Sequence, residues 1–93
     1  MREREVEAHL VRLVRELGGE VRKVQWIGRR GAPDRLVMLP GGLWLLPQTV
    51  WVELKAPGKK PTVIQTREHE RMRAMGQRVV VIDSLEVVEE LLR

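Results

Sequence analysis

Two short stretches of this chain place charge where a small domain is expected to bury apolar side chains. In Val50-Trp51-Val52-Glu53-Leu54-Lys55 a hydrophobic run carries a carboxylate and an ammonium two residues apart. Side chains alternate along a strand, so Trp51, Glu53 and Lys55 share one face while Val50, Val52 and Leu54 take the other. Such a pair can simply be an edge-strand ion pair that discourages aggregation. The second stretch, Gly31-Ala32-Pro33-Asp34, sets a carboxylate where another strand begins. If the two strands are antiparallel neighbours, Asp34 comes beside Glu53, and two carboxylates meeting there repel unless a cation sits between them. Hard oxygen ligands with few protein contacts suit Mg²⁺ or Mn²⁺. Lys55 then stands where it can orient a water or stabilise charge growing on phosphorus. Taken alone, Asp34 reads equally as a turn-capping residue after proline.

Other residues gather around this pair. The periodicity of the first helix turns Glu3 and Glu7 toward the apolar arc and Glu5 and Glu16 away. Glu7 is a further acceptor for a metal or its water, or a carboxylate favoured by the helix dipole at an N-terminus. Gln65 falls on the same helical face as Ile64, Met72 and Met75, pointing its amide at the sheet, and it also completes a capping box with Thr62. Arg29, Arg30, Lys59 and Lys60 lie in the two loops flanking the carboxylates, where they either grip phosphates beside a scissile bond or are solvated loop charges. Trp26 serves core packing or stacks on a base. His9 is expected to point outward and His69 to sit on the polar side of its helix, so neither reads as a base or ligand.

The elements that must position these groups follow from periodicity. A helix is predicted over Glu3 to Leu17, closed by Gly18-Gly19, then a strand over Val21 to Ile27 and the Gly- and Pro-rich connection GRRGAPD. Arg35 to Leu39 is a second strand, ended by Pro40-Gly41-Gly42. Leu43 to Leu46 continues extended, Pro47-Gln48-Thr49 interrupts, and Val50 to Lys55 is the third strand of an antiparallel meander. A helix over Thr62 to Met75, a strand over Arg78 to Ile82 and a last helix capped by Asp83 or Ser84 complete the order α-β-β-β-α-β-α. The expected fold is an α/β domain whose sheet mixes antiparallel and parallel neighbours.

Composition bounds the rest. Ninety-three residues make one domain spanning 1–93, with a core that buries roughly two thirds of the unfolded chain's surface. There is no cysteine, which excludes disulfides and thiolate metal sites. No apolar run is long enough to span a bilayer and the charged N-terminus has no signal-peptide pattern, so a cytoplasmic protein with no membrane partner is expected. The net charge of +4 hides an asymmetry, because Arg22 to Arg78 carries 12 Lys and Arg against 4 acids, between acidic ends. A basic middle fits a polyanion binder.

Taken together, GAPD, the Glu53-Leu54-Lys55 triplet, REREVEAHLVRLVRELGG, GRRGAPDRLVMLPGG, WVELKAPGKKP and the run from Gln65 through RVVVIDS resemble the virus-type replication-repair nuclease (VRR-NUC) domain of the PD-(D/E)XK superfamily. The resemblance covers nearly the whole chain, and the ordered set of motifs carries it. It implies a restriction-endonuclease-like αβββαβ core, with a mixed central sheet flanked by helices, plus the C-terminal helix. It further implies a deoxyribonuclease in which Asp34, Glu53 and the Leu54 carbonyl bind Mg²⁺ or Mn²⁺, Lys55 positions the attacking water and Gln65 matches the family's helix glutamine. The resemblance favours Glu7 as the helix-one acid, because its distance to Gly18 is similar to that in archaeal Holliday-junction resolvases of the same superfamily, with Glu3 the alternative. Hydrolysis in the superfamily leaves 5′-phosphate and 3′-hydroxyl ends.

Stand-alone domains of this family look like phage or bacterial proteins that dimerise and cut four-way junctions, which suits a homodimer acting on branched double-stranded DNA. One departure from the family pattern is LWLLPQT, which separates the PGG turn from the E-x-K strand. So many apolar residues exceed what a small monomer can bury, and Leu43, Trp44 and Leu46 are expected at a dimer interface. The leading expectation is a Holliday-junction resolvase, with a flap or nicking nuclease as the alternative. A non-catalytic DNA-binding subunit belongs to another class and has no need of clustered carboxylates that repel phosphate.

Overall fold

The computed structural model describes residues 1–42 and 46–92. The chain runs α1 (Glu3–Glu16), β1 (Glu20–Lys23), β2 (Arg35–Leu39), β3 (Gln48–Leu54), α2 (Val63–Ala74), β4 (Val79–Ile82) and α3 (Leu85–Leu92), the order expected from periodicity. β1, β2 and β3 form the antiparallel meander. β4 reaches the far side of β3 through the α2 crossover and pairs with it in parallel, so the mixed sheet reads β1-β2-β3-β4.

The two faces of this sheet differ in chemistry. Val6, Leu10, Leu13 and Val14 recur at helical spacing on α1, and with Val88 and Leu92 of α3 they bury one face against Val37, Leu39, Val50, Val52, Leu54 and Ile82. α1 ends where Gly18 adopts φ +84° and the Gly18 and Gly19 amides cap the Arg15 and Val14 carbonyls, a Schellman turn that hands the chain to β1.

The opposite face is covered by α2, whose inward stripe is Gln65, Glu68, His69 and Met72. That corrects the expected stripe, because Ile64 is 43% and Met75 70% exposed. An apolar face would have placed those residues inward. Here the spacing 65, 68, 69, 72 turns mostly polar groups to the sheet, because what lies beneath is the carboxylate of Glu53.

Boundaries shift for identifiable reasons. β1 stops at Lys23, after which one more backbone bond, Val24 to the Asp34 carbonyl, keeps the chain beside β2 before it leaves the ladder. β3 starts at Gln48 instead of Val50, pairing Gln48 and Thr49 with Leu39 and Met38; the expected interruption narrows to Pro47, which lacks the N–H a ladder needs. Ser84, not Asp83, caps α3, accepting from the Val87 amide at 3.1 Å. Leu43 and Trp44 lie outside the described residues, and Leu46 is 84% exposed. Among the described residues, no helix is long and apolar enough to cross a membrane.

Candidate active site

Strand alternation decides which way Glu53 points. Val50, Val52 and Leu54 are buried in the apolar core, so Glu53 faces α2, where it is only 7% exposed. Three side chains address its two oxygens. Oε2 lies 3.4 Å from Gln65 Nε2 and 4.0 Å from Lys55 Nζ, and Oε1 lies 3.5 Å from His69 Nε2. Burial pushes the Glu53 carboxyl up to about 7; Lys55 opposes that shift, Asp34 and Glu3 add to it, and Arg35 opposes it more weakly.

Asp34 reaches the same place through register. Arg35 pairs with Val52 across the β2–β3 ladder, so one step further sets Asp34 opposite Glu53. Its side chain is mostly exposed, and Oδ1 sits 3.0 Å from Arg35 Nη1. The Arg35 guanidinium also pairs with Glu7, and so bridges α1 to the edge of the site. Glu7 is thereby held by Arg35, on the face that Val52 occupies, while Glu3 is the helix-one acid whose charge acts on Glu53.

The loop that delivers Asp34 is fastened at several points. Trp26 Nε1 donates to the Pro33 carbonyl at 2.8 Å, and its ring packs 5.2 Å from that of Trp51. Arg29, expected among the phosphate-gripping cations, makes a two-pronged pair with Glu68 of α2 at 2.8 and 2.7 Å, and Arg71 adds a third bond at 3.0 Å. The Arg29 bonds hold the buried Glu68 carboxyl below its usual range, against the opposing effect of burial and with further help from Arg71. Gly31 has φ +82° and lies so close to α2 that an added Cβ would come 2.8 Å from the Ile64 carbonyl oxygen. Gly31→Ala therefore combines backbone strain with a clash, and should cost about 2–4 kcal/mol in chemical denaturation. A loss below about 0.5 kcal/mol would mean that the loop does not rest on α2 as described.

Gln65 carries both expected roles at once. Its Oε1 accepts the Thr62 amide at 2.9 Å while the Thr62 hydroxyl accepts the Gln65 amide at 3.1 Å, and this capping box leaves Nε2 turned to Glu53. Arg30, Lys59 and Lys60 are exposed in the loops flanking the site, and the Leu54 carbonyl lies at the end of β3 between Glu53 and Lys55. His69 corrects the sequence reading, being 1% exposed and directed at Glu53 instead of lying on the polar side of its helix. Burial, then Arg73 and Lys55, push its pKa down, with Glu68 opposing. The signal for it was its place four residues after Gln65 and three before Met72. His9 is also not simply outward: it lies between α1 and α3, 3.2 Å from Glu89 and 2.7 Å from Arg12. Arg35 and Glu68 were not singled out from the sequence, and only their long-range partners reveal their roles.

The donor set fits a small hard cation. Among the described residues no three His, Asp or Glu side chains form a ready-made cluster, so an ion here would rest on Asp34 and Glu53, a backbone oxygen and water. That sparse oxygen coordination is typical of Mg²⁺ sites completed by substrate phosphate. A cation would also offset the burial, and with it the repulsion from Asp34 and Glu3, that raise the Glu53 pKa.

Comparison with known proteins finds clear similarities. "Putative nuclease p44" of Acyrthosiphon pisum secondary endosymbiont phage 1 is 51% identical over 84 residues, covering 90% of this chain and 85% of that protein. A solved structure described as "VRR_NUC domain" superposes with a TM-score of 0.80 at 41% identity, over 96% of this chain and 91% of that one. No protein-family model matches the chain.

Proposed function

Since the chain belongs to the VRR-NUC nuclease family, we propose that it hydrolyses phosphodiesters in branched DNA, with Asp34 and Glu53 holding Mg²⁺ or Mn²⁺ and Lys55 directing the attacking water. One observation carries this reading. The Glu53 carboxylate is buried at the end of β3, with a cation 4.0 Å away and Asp34 one residue beyond the Arg35–Val52 pair that ends the ladder beside it. Burying a carboxylate is costly, and a purely structural or DNA-binding domain gains nothing from placing a second one beside it.

When bound, the divalent ion supplies Lewis-acid polarisation of a phosphoryl oxygen and neutralises charge on it. Asp34, Glu53 and the Leu54 carbonyl would hold it, with Glu7, which pairs with Arg35, or alternatively Glu3 as the helix-one acid. Lys55 Nζ orients a water toward phosphorus and stabilises the extra negative charge as the water oxygen bonds to it. The bond from phosphorus to the 3′ oxygen breaks, that oxygen leaves with a proton, and the ends are a 5′-phosphate and a 3′-hydroxyl. Gln65 Nε2 steadies Glu53. Arg30, Lys59 and Lys60 grip the flanking phosphates, supported by the basic middle of the chain. A phage relative fits an enzyme that works on DNA in a bacterial cytoplasm.

We further propose that it acts as a homodimer on four-way junctions, with Leu43, Trp44 and Leu46 at the interface, because Leu46 is exposed in a single chain. Cleavage of four-way junction, flap, nicked and linear duplex DNA in Mg²⁺ and Mn²⁺, run beside a solution mass measurement, tests both statements. The junction should be cut at least about tenfold faster than linear duplex, by a dimer that Trp44→Asp converts to monomer. Preference for a flap would identify a flap nuclease, and binding without cleavage under any divalent ion would leave a DNA-binding module.

A further inference from the structure

His69 is the most buried ionisable side chain among the described residues that the proposed chemistry does not use, and its Nε2 is a buried polar atom with no hydrogen-bond partner. It lies 3.5 Å from Glu53 Oε1, slightly beyond a good hydrogen bond. We propose that His69 is a positioning residue which donates its Nε2–H to Glu53 Oε1 and so fixes the carboxylate for the metal. The inference rests on Glu53 being a metal ligand.

Several features point this way. Only one ring tautomer suits an ionised Glu53, because an Nε2 lone pair would face an oxygen lone pair, whereas an Nε2–H makes an attractive contact. A movement of a few tenths of an ångström closes the bond, as commonly happens when a catalytic site fills. Gln65 lies one helical turn before His69 and addresses the other oxygen, so two α2 side chains hold Glu53 from two sides. Each oxygen keeps a further lone pair for the ion. The neighbouring Glu68 ties α2 to Arg29 in the loop that delivers Asp34. Adjacent residues of one helix turn therefore locate both carboxylates, and α2 sets the distance between them. A residue that merely filled this space would do so at lower cost if apolar, as Met72 is one turn later.

The test compares wild type, Glu53→Gln, His69→Phe and His69→Gln as full chains. Mn²⁺ affinity is measured by titration calorimetry, folding by circular dichroism, and junction cleavage as separate kcat and KM. His69→Phe fills the space without a donor and should weaken Mn²⁺ binding about tenfold or more, lowering kcat with little change in KM for DNA. His69→Gln, whose amide N–H reaches a similar point, should restore both to within about threefold. Wild-type Mn²⁺ affinity in His69→Phe alongside lost affinity in Glu53→Gln would overturn the role of His69 and leave the site intact. Wild-type affinity in both would overturn the site itself. If His69→Phe fails to fold, nitrogen NMR of the wild type in Mg²⁺ decides, since an Nε2–H tautomer supports the inference and an Nδ1–H tautomer refutes it.

Discussion

Glu53→Gln should abolish divalent-metal cleavage, by at least about a thousandfold, while leaving the metal-free protein more stable than wild type at pH 8. The activity loss follows from the proposed ligand set: with Asp34 and Glu53 as carboxylate ligands, an amide at position 53 would remove one of the charges that hold the ion. The stability gain follows from the raised pKa. In the unfolded chain Glu53 ionises near its usual 4.5, but in the fold it holds its proton to about 7. Below pH 4.5 both states are protonated and this group contributes no difference. Between 4.5 and 7 the folded state binds the extra proton, so stability falls as pH rises, and above 7 the full penalty of a buried charge is present. Once solvent screening is allowed for, that penalty is about 1–2 kcal/mol. Thermal melts in chelator from pH 4 to 8 should show wild type losing stability relative to Glu53→Gln across that window. Parallel curves would mean that Glu53 ionises normally, and undiminished cleavage by Glu53→Gln would remove it from the site.

Lys55→Ala should lower kcat by about 10²–10³-fold and leave metal binding intact or tighter. Lys55 Nζ lies 4.0 Å from Glu53 Oε2, within Coulombic reach of the carboxylate but without a close contact. Its charge is therefore available to a phosphate or a water, and it would compete with a divalent ion held by the same oxygen. Removing it deletes the stabilisation that grows with charge on phosphorus and relieves the competition. The two effects separate in a Mn²⁺ titration run beside single-turnover cleavage. Lost metal affinity at unchanged kcat would make Lys55 a structural counter-ion. Lys55→Arg should recover little, because a planar guanidinium cannot place a point donor where the ammonium stood.

Parts of this arrangement are legible along the chain because they are local. Alternation over six residues puts Glu53 opposite Val52 and Leu54, and the spacing Thr62-x-x-Gln65 announces the cap that turns Gln65 inward. The α1 stripe Val6, Leu10, Leu13 and Val14 is equally plain, since a strongly amphipathic helix has one way to face a core. α2 is weakly amphipathic, so its spacing turns Gln65 and Met72 to the sheet as expected but leaves Ile64 and Met75 exposed. Neither residue is held against the sheet, because the helix is anchored by polar partners that lie distant in sequence.

The amino-acid sequence by itself determined the element order, the antiparallel meander, the apolar face of the sheet and the meeting of Asp34 with Glu53, because each follows from periodicity, turn chemistry or ladder register within a few residues. Only the tertiary structure decided which side chains stand around that meeting. Arg35 claims Glu7 and leaves Glu3 to act on Glu53, Glu68 claims Arg29, and His69 turns from the polar side of α2 to Oε1 of Glu53. Those choices are made between groups as many as 39 residues apart. The partner that satisfies a buried charge is selected by where helices and strands pack, which no local pattern encodes.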